Sequence, residues 1–178
     1  MNLPNLLTAL RIALIPVLIG TYGRVPPAVS LTIFLVAGLT DCLDGYLARK
    51  WNQITAFGKL FDPLADKLLL LSVLFCFAKS RLIPWWVLIL MAVKELLMMS
   101  GSLYMLHRNV VVSSNYLGKA ATVVFILALT FVFPWPKEQW LITMGNALLY
   151  VAVALSVAAL FVYAYEAFLK PRQQKEEG

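Results

Sequence analysis

Acidic residues are scarce in this chain: nine among 178 positions, against fifteen lysines and arginines. Charged residues of both signs amount to 13%, and there are one histidine and two cysteines. Each shortage excludes something. A soluble domain of this length could not bury a chain that is 61% hydrophobic. Cys42 and Cys76 sit inside apolar segments at no metal-ligand spacing, so they read as packing thiols. His107, alone at the end of a predicted helix, is not a catalytic candidate. No repeat, low-complexity tract or interdomain linker is present. The apolar stretch from Leu3 to Ile19 is interrupted by Arg11 and leads to no clear cleavage site, so a cleaved signal is not expected. The net charge of +6 comes with no nucleic-acid-binding pattern. It suits basic residues that flank membrane spans and meet anionic headgroups.

What is abundant is long apolar runs, and these predict a single all-α membrane domain over 1–178 with six transmembrane helices. After a short interfacial lead-in, MNLPN, the spans are expected at about 6–22, 27–50, 58–78, 84–106, 116–133 and 140–169, followed by a polar tail, 170–178. One set of connections carries Arg49, Lys50, Lys59, Arg108, Lys119, Lys170, Arg172 and Lys175. The other carries only Arg24, Lys79, Arg81 and Lys137. The richer side is expected in the cytoplasm, with both termini. Trp85, Trp86 and Trp135 would mark the outer interface and Trp51 the inner one.

The few acids are unevenly placed. Four of the nine, Asp41, Asp44, Asp62 and Asp66, fall within DCLDGYLARKWNQITAFGKLFDPLADK. Asp41 and Asp44 are three apart and Asp62 and Asp66 four apart, so each pair shares a helix face. Packed side by side, the two helices would bring four carboxylates together at the membrane edge. Two unit charges 4 Å apart repel by about 4 kcal/mol at an effective dielectric of 20. Protons or cations could relieve this. Hard oxygen donors without His or Cys favour Mg²⁺, Mn²⁺ or Ca²⁺, and two such ions suit phosphoryl chemistry. Gly45, Ala48 and Gly58 leave room for a ligand near the backbone, and Gly45 and Ala48 could instead serve only helix packing. Arg49 could clamp a phosphate. Lys59 and Lys67 could do the same or snorkel to the interface.

The full pattern, D-x2-D-G-x2-A-R-x8-G-x3-D-x3-D from Asp41 to Asp66, resembles the signature of the CDP-alcohol phosphotransferases, with every spacing intact. NLPNLLTALRIALIP, GKLFDPLADKLLL and VSSNYLGKAAT resemble segments of the glycerophosphate-using members, so the likeness covers most of the chain. The resemblance implies a six-helix membrane enzyme, usually a homodimer, in which an alcohol attacks the β-phosphorus of a CDP-linked lipid and CMP leaves. It implies that Asp41, Asp44, Asp62 and Asp66 ligate Mg²⁺ or Mn²⁺, two ions in all, and that Asp66 is the general base. It implies that Asn5, Thr8, Asp44, Gly45, Ala48, Arg49 and Gly58 surround the CDP part. The expected reaction is phosphatidyl transfer from CDP-diacylglycerol to sn-glycerol 3-phosphate, at a bacterial inner membrane.

The acceptor side departs from the family pattern. Those members usually have Arg-Glu in the fourth helix and a second Arg about two turns later; here Lys94-Glu95 and Ser102 stand there. Lys94 and Lys119 are the expected acceptor-binding residues, with Arg108 or His107 as possible compensation. Lys94-Glu95 could also be a structural ion pair. The missing Arg keeps open a cardiolipin synthase of the same family, with phosphatidylglycerol as acceptor. A divalent-cation transporter is the alternative from another class. It would place its acids near the midplane rather than at one edge.

Overall fold

Helices form along each of the apolar runs. They are α1 (Leu3–Thr21), α2 (Pro27–Lys50), α3 (Ala56–Lys79), α4 (Trp85–His107), α5 (Tyr116–Val132) and α6 (Gln139–Phe168). This computed structural model describes residues 3–50, 56–107, 116–133 and 139–168; for 3–5, 41–50, 56–60, 63, 106–107 and 166–168 it describes the backbone alone. Among the described residues there is no strand. The six expected helices are all present, with ends within a few residues of expectation. The expected interfacial lead-in is not a separate element, because α1 already begins at Leu3. Pro4 is tolerated there, since first-turn N–H groups have no helical partner to lose.

Among the described residues two helices, Trp85–Met105 and Gln139–Tyr165, are long and apolar enough to cross a membrane; Leu6–Thr21, Pro27–Thr40 and Tyr116–Val132 are shorter apolar helices. Large apolar side chains stand on the outside, with Leu96, Leu103 and Phe161 at 68%, 66% and 70% exposure. Water would penalise such a surface; lipid tails would not.

The helices gather into two units, Met1–Trp85 and Trp86–Gly178. In the first, α1 packs on both α2 and α3. The buried stripe of α1 is Thr8, Arg11 and Leu18, and that of α2 is Ser30, Phe34, Ala37 and Thr40. On α3 the stripe runs Ala65, Leu69, Val73, Cys76 and Phe77. Thr8 meets Asp62 near one end of α1, and Tyr22 meets Phe77 beyond the other, with ring centroids 6.0 Å apart. The two contacts are spaced almost equally along both segments, so α1 and α3 run parallel.

Tight turns close this unit. Gly23, at φ +76°, takes the left-handed position after α1. After α3 the same conformation falls on Arg81, at φ 59°. There Leu82 N–H donates to Phe77 O at 2.9 Å and Arg81 N–H to Ala78 O at 3.1 Å, a Schellman cap built without glycine.

In the second unit α5 and α6 form a close hairpin. Ala121, Phe125, Ala128, Leu129 and Val132 are the buried side of α5. They face a stripe of mostly small residues on α6, Leu149, Ala152, Ser156 and Ala159. At Gly145 a Cβ would lie 2.7 Å from Val132 N and 2.8 Å from the Phe131 carbonyl carbon, so only glycine lets the backbones approach this closely. Trp86 of α4 stacks on Tyr150 of α6, centroids 5.9 Å apart and planes 8° from parallel.

Candidate active site

The α3 helix carries two aspartates with described side chains, and they are held differently. Asp62 starts the inner side of α3. Its Oδ1 accepts a hydrogen bond from Thr8 Oγ1 at 2.5 Å, and Thr8 is completely buried. That bond fixes the orientation of one carboxylate oxygen. Asp66 lies one turn further on, where Ala65 rather than Asp66 takes the inner position. Its side chain is 47% exposed, and its Oδ2 lies 3.6 Å from Lys67 Nζ. A pair that open contributes little to stability. One carboxylate is therefore anchored to a neighbouring helix, and the next stands free to meet a ligand.

The buried side of α2 leads toward the other half of the quartet. Thr40, buried in the core, donates its hydroxyl proton to Ala37 O at 2.6 Å. Its oxygen accepts from Arg11 Nε at 3.5 Å. Asn5, Asp41, Asp44, Gly45, Ala48, Arg49 and Gly58 are described in their backbone alone, so the contacts expected of them lie outside the described residues. Among the described residues no three His, Cys, Asp or Glu side chains gather into a metal-sized group.

Arg11 is the residue whose position sequence reasoning missed. In the sequence it stands out only as an interruption of an apolar segment. It is wholly buried, on the same face of α1 as Thr8. The available signal was its cost: a charge within an apolar helix is expensive and usually functional.

The two lysines expected to bind the acceptor both lie in the second unit. Lys94 Nζ sits 2.7 Å from Glu95 Oε1, with the side chains 13% and 5% exposed. This is a buried ion pair within α4, and it offsets the charge of Lys94. Lys119 is exposed on α5, its Nζ 5.8 Å from the centroid of the Tyr116 ring one turn earlier. Ser102 is exposed on α4.

Residues 1–158 match the family model described as CDP-alcohol phosphatidyltransferase. The chain belongs to that family. Curated relatives agree along nearly the whole length. A protein of Salmonella choleraesuis named CDP-diacylglycerol–glycerol-3-phosphate 3-phosphatidyltransferase is 34% identical over 171 residues, 91% of this chain and 92% of its own. Proteins of the same name from Escherichia coli K12 and Shigella flexneri are each 33% identical, with the same coverage. The CDP-alcohol phosphatidyltransferase match, residues 1–158, includes residues of both compact units.

Proposed function

We propose that this chain transfers a phosphatidyl group from CDP-diacylglycerol to the free hydroxyl of sn-glycerol 3-phosphate, giving phosphatidylglycerophosphate and CMP. The observation that carries this reading is the near full-length identity to relatives of that name. The contrast between the two α3 aspartates supports it. Group transfer to an alcohol needs a rigid anchor for charge and an accessible base, and Asp62 and Asp66 offer one each.

In this reading the acceptor hydroxyl attacks the β-phosphorus as the bond to the CMP oxygen breaks. Asp66 accepts the hydroxyl proton, and CMP carries the departing electron pair. Asp66 must lie within hydrogen-bonding reach of the acceptor, and its exposure permits that. Asp62, whose Oδ1 is oriented by Thr8, is the anchored carboxylate and would stand beside the diphosphate. Asn5, Gly45, Ala48, Arg49 and Gly58 complete the proposed CDP cradle. Thr8 belongs to it through Asp62, because its own hydroxyl is already engaged.

The donor set fits Mg²⁺ or Mn²⁺. Asp62 and Asp66 present hard oxygens one turn apart, partly open to solvent, and Asp41 and Asp44 would complete the ligands. A divalent ion there would offset the negative charge that grows on the leaving CMP. We take the whole chain as one domain of a homodimeric inner-membrane enzyme. Six spans, with the quartet and both termini on the cytoplasmic side, let a lipid-anchored donor keep its tails in the bilayer.

A phosphatidylglycerol acceptor is the second reading. The neutralised Lys94 and the exposed Ser102 favour it, because both reduce the charge offered to a phosphomonoester. Purified protein given CDP-diacylglycerol and Mn²⁺ should release CMP with glycerol 3-phosphate and not without an acceptor. Release with phosphatidylglycerol alone would replace the first reading by the second. Mn²⁺ uptake into proteoliposomes without CMP release would replace both by a transporter.

A further inference from the structure

Arg11 has no part in the chemistry described so far, yet it is the largest fully buried side chain in the molecule among the described residues. Its side chain ends in a guanidinium, a cationic group with five N–H donors and no acceptor. A buried ion is tolerated when opposite charge and hydrogen bonds surround it, and is strongly destabilising otherwise. Thr40, at 3.5 Å from Arg11 Nε, supplies a hydrogen-bond acceptor but no charge.

The sources of negative charge in the first unit are few. Every Asp or Glu between residues 1 and 85 belongs to the quartet: Asp41, Asp44, Asp62 and Asp66. Arg11 sits one turn along α1 from Thr8, which holds Asp62. Its partner Thr40 immediately precedes Asp41 and lies one turn before Asp44 on α2. By the parallel register of α1 and α3, Arg11 falls level with Ala65, between the turns that bear Asp62 and Asp66. The residue there is small and, like Arg11, wholly buried.

We propose that Arg11 is a positioning residue, the buried counter-charge that holds the carboxylates of α2 and α3 together before a divalent cation arrives. Thr8 and Arg11 together then make one face of α1 the support for the quartet: a hydroxyl that orients one carboxylate and a cation that offsets the mutual repulsion of the set. The inference rests on the reading that the quartet binds a divalent cation, and the test separates the two.

The full-length protein is purified in detergent, and its thermal unfolding is followed with EDTA and with saturating Mn²⁺. Three variants are compared with it: Arg11→Met, Arg11→Lys, and Arg11→Met combined with Asp62→Asn. In EDTA, Arg11→Met should unfold about 10 °C lower, because four carboxylates lose their internal cation. Mn²⁺ should raise its midpoint by more than it raises the wild type. Arg11→Lys should recover most of the loss, and Asp62→Asn should partly rescue Arg11→Met in EDTA.

Equal Mn²⁺ shifts in wild type and Arg11→Met, with additive effects of Arg11→Met and Asp62→Asn, would make Arg11 a packing residue and overturn the inference. If Arg11→Met does not fold, recovery of a folded protein by adding Asp62→Asn supports the counter-charge, and failure to recover overturns it. If Mn²⁺ shifts not even the wild type, the metal reading falls. The coupling between Arg11 and Asp62 in EDTA then decides the role of Arg11 alone.

Discussion

Two aspartates one turn apart on the same helix do not carry the same energetic weight. Asp62 is tied to a buried threonine on another helix, whereas Asp66 has a half-exposed side chain and a lysine 3.6 Å away. Removing the charge of Asp66 should therefore leave the fold alone and remove the chemistry. Asp66→Asn is expected to lower CMP release by about 100- to 10,000-fold, the usual contribution of a general base. Its unfolding midpoint should stay within about 2 °C of wild type, since an exposed ion pair contributes little. Near-normal turnover in this variant would remove Asp66 as the base. Thr8→Val gives the complementary case, because it frees a carboxylate without deleting it. It should cost about 10- to 100-fold in activity, as loss of an outer hydrogen bond to a ligating group does, with Asp62→Asn showing no further dependence on Thr8.

At the scale of elements, two glycines of the second unit differ in the room they leave for a side chain. Gly145 allows α5 and α6 to touch through their backbones, and any Cβ there would meet atoms that cannot move aside. Gly145→Ala should separate the hairpin and destabilise the protein by about 1–3 kcal/mol, the cost of overpacking a close-packed contact. Gly101 provides the control. A Cβ there would lie 3.5 Å from Tyr163 Cε1, an ordinary van der Waals distance, so Gly101→Ala should unfold like the wild type. Loss of stability in both variants alike would refute the close approach at Gly145. Helix polarity adds a second element-scale lesson. The parallel course of α1 and α3 lets one turn of α1 support the same end of α3 that bears the aspartates. An antiparallel pair would have carried Thr8 to the opposite end.

For the whole molecule, the proposed function requires a sidedness. A lipid-linked donor and a water-soluble acceptor must meet at one face, and the excess of Lys and Arg on the connections near the quartet is the ground on which we propose that this face is cytoplasmic. In a background lacking Cys42 and Cys76, Arg24→Cys should react with an impermeant maleimide in intact cells. Lys175→Cys should react only after the membrane is opened. The reverse pattern would turn the protein over and put the acceptor site outside. The shortage of acids has a consequence at this scale too. All acidic residues of the first unit are concentrated in one motif, which is therefore that unit's source of carboxylate charge.

The positions of the six helices were legible in the sequence, because the length of an apolar run and its period are local properties. So was the family, because the spacing from Asp41 to Asp66 survives as a string of letters. The pairing of Lys94 with Glu95 was open between a structural pair and a cavity-lining one. The tertiary structure shows the pair formed and buried. It also decided that Thr8 holds Asp62, that Arg11 lies in the core beside Thr40, and that Gly145 rather than Gly101 has no room for a side chain. A periodic pattern says which residues share a face of their own helix. Which residue of another helix they meet depends on the direction and axial offset with which the helices pack, and no single segment encodes that.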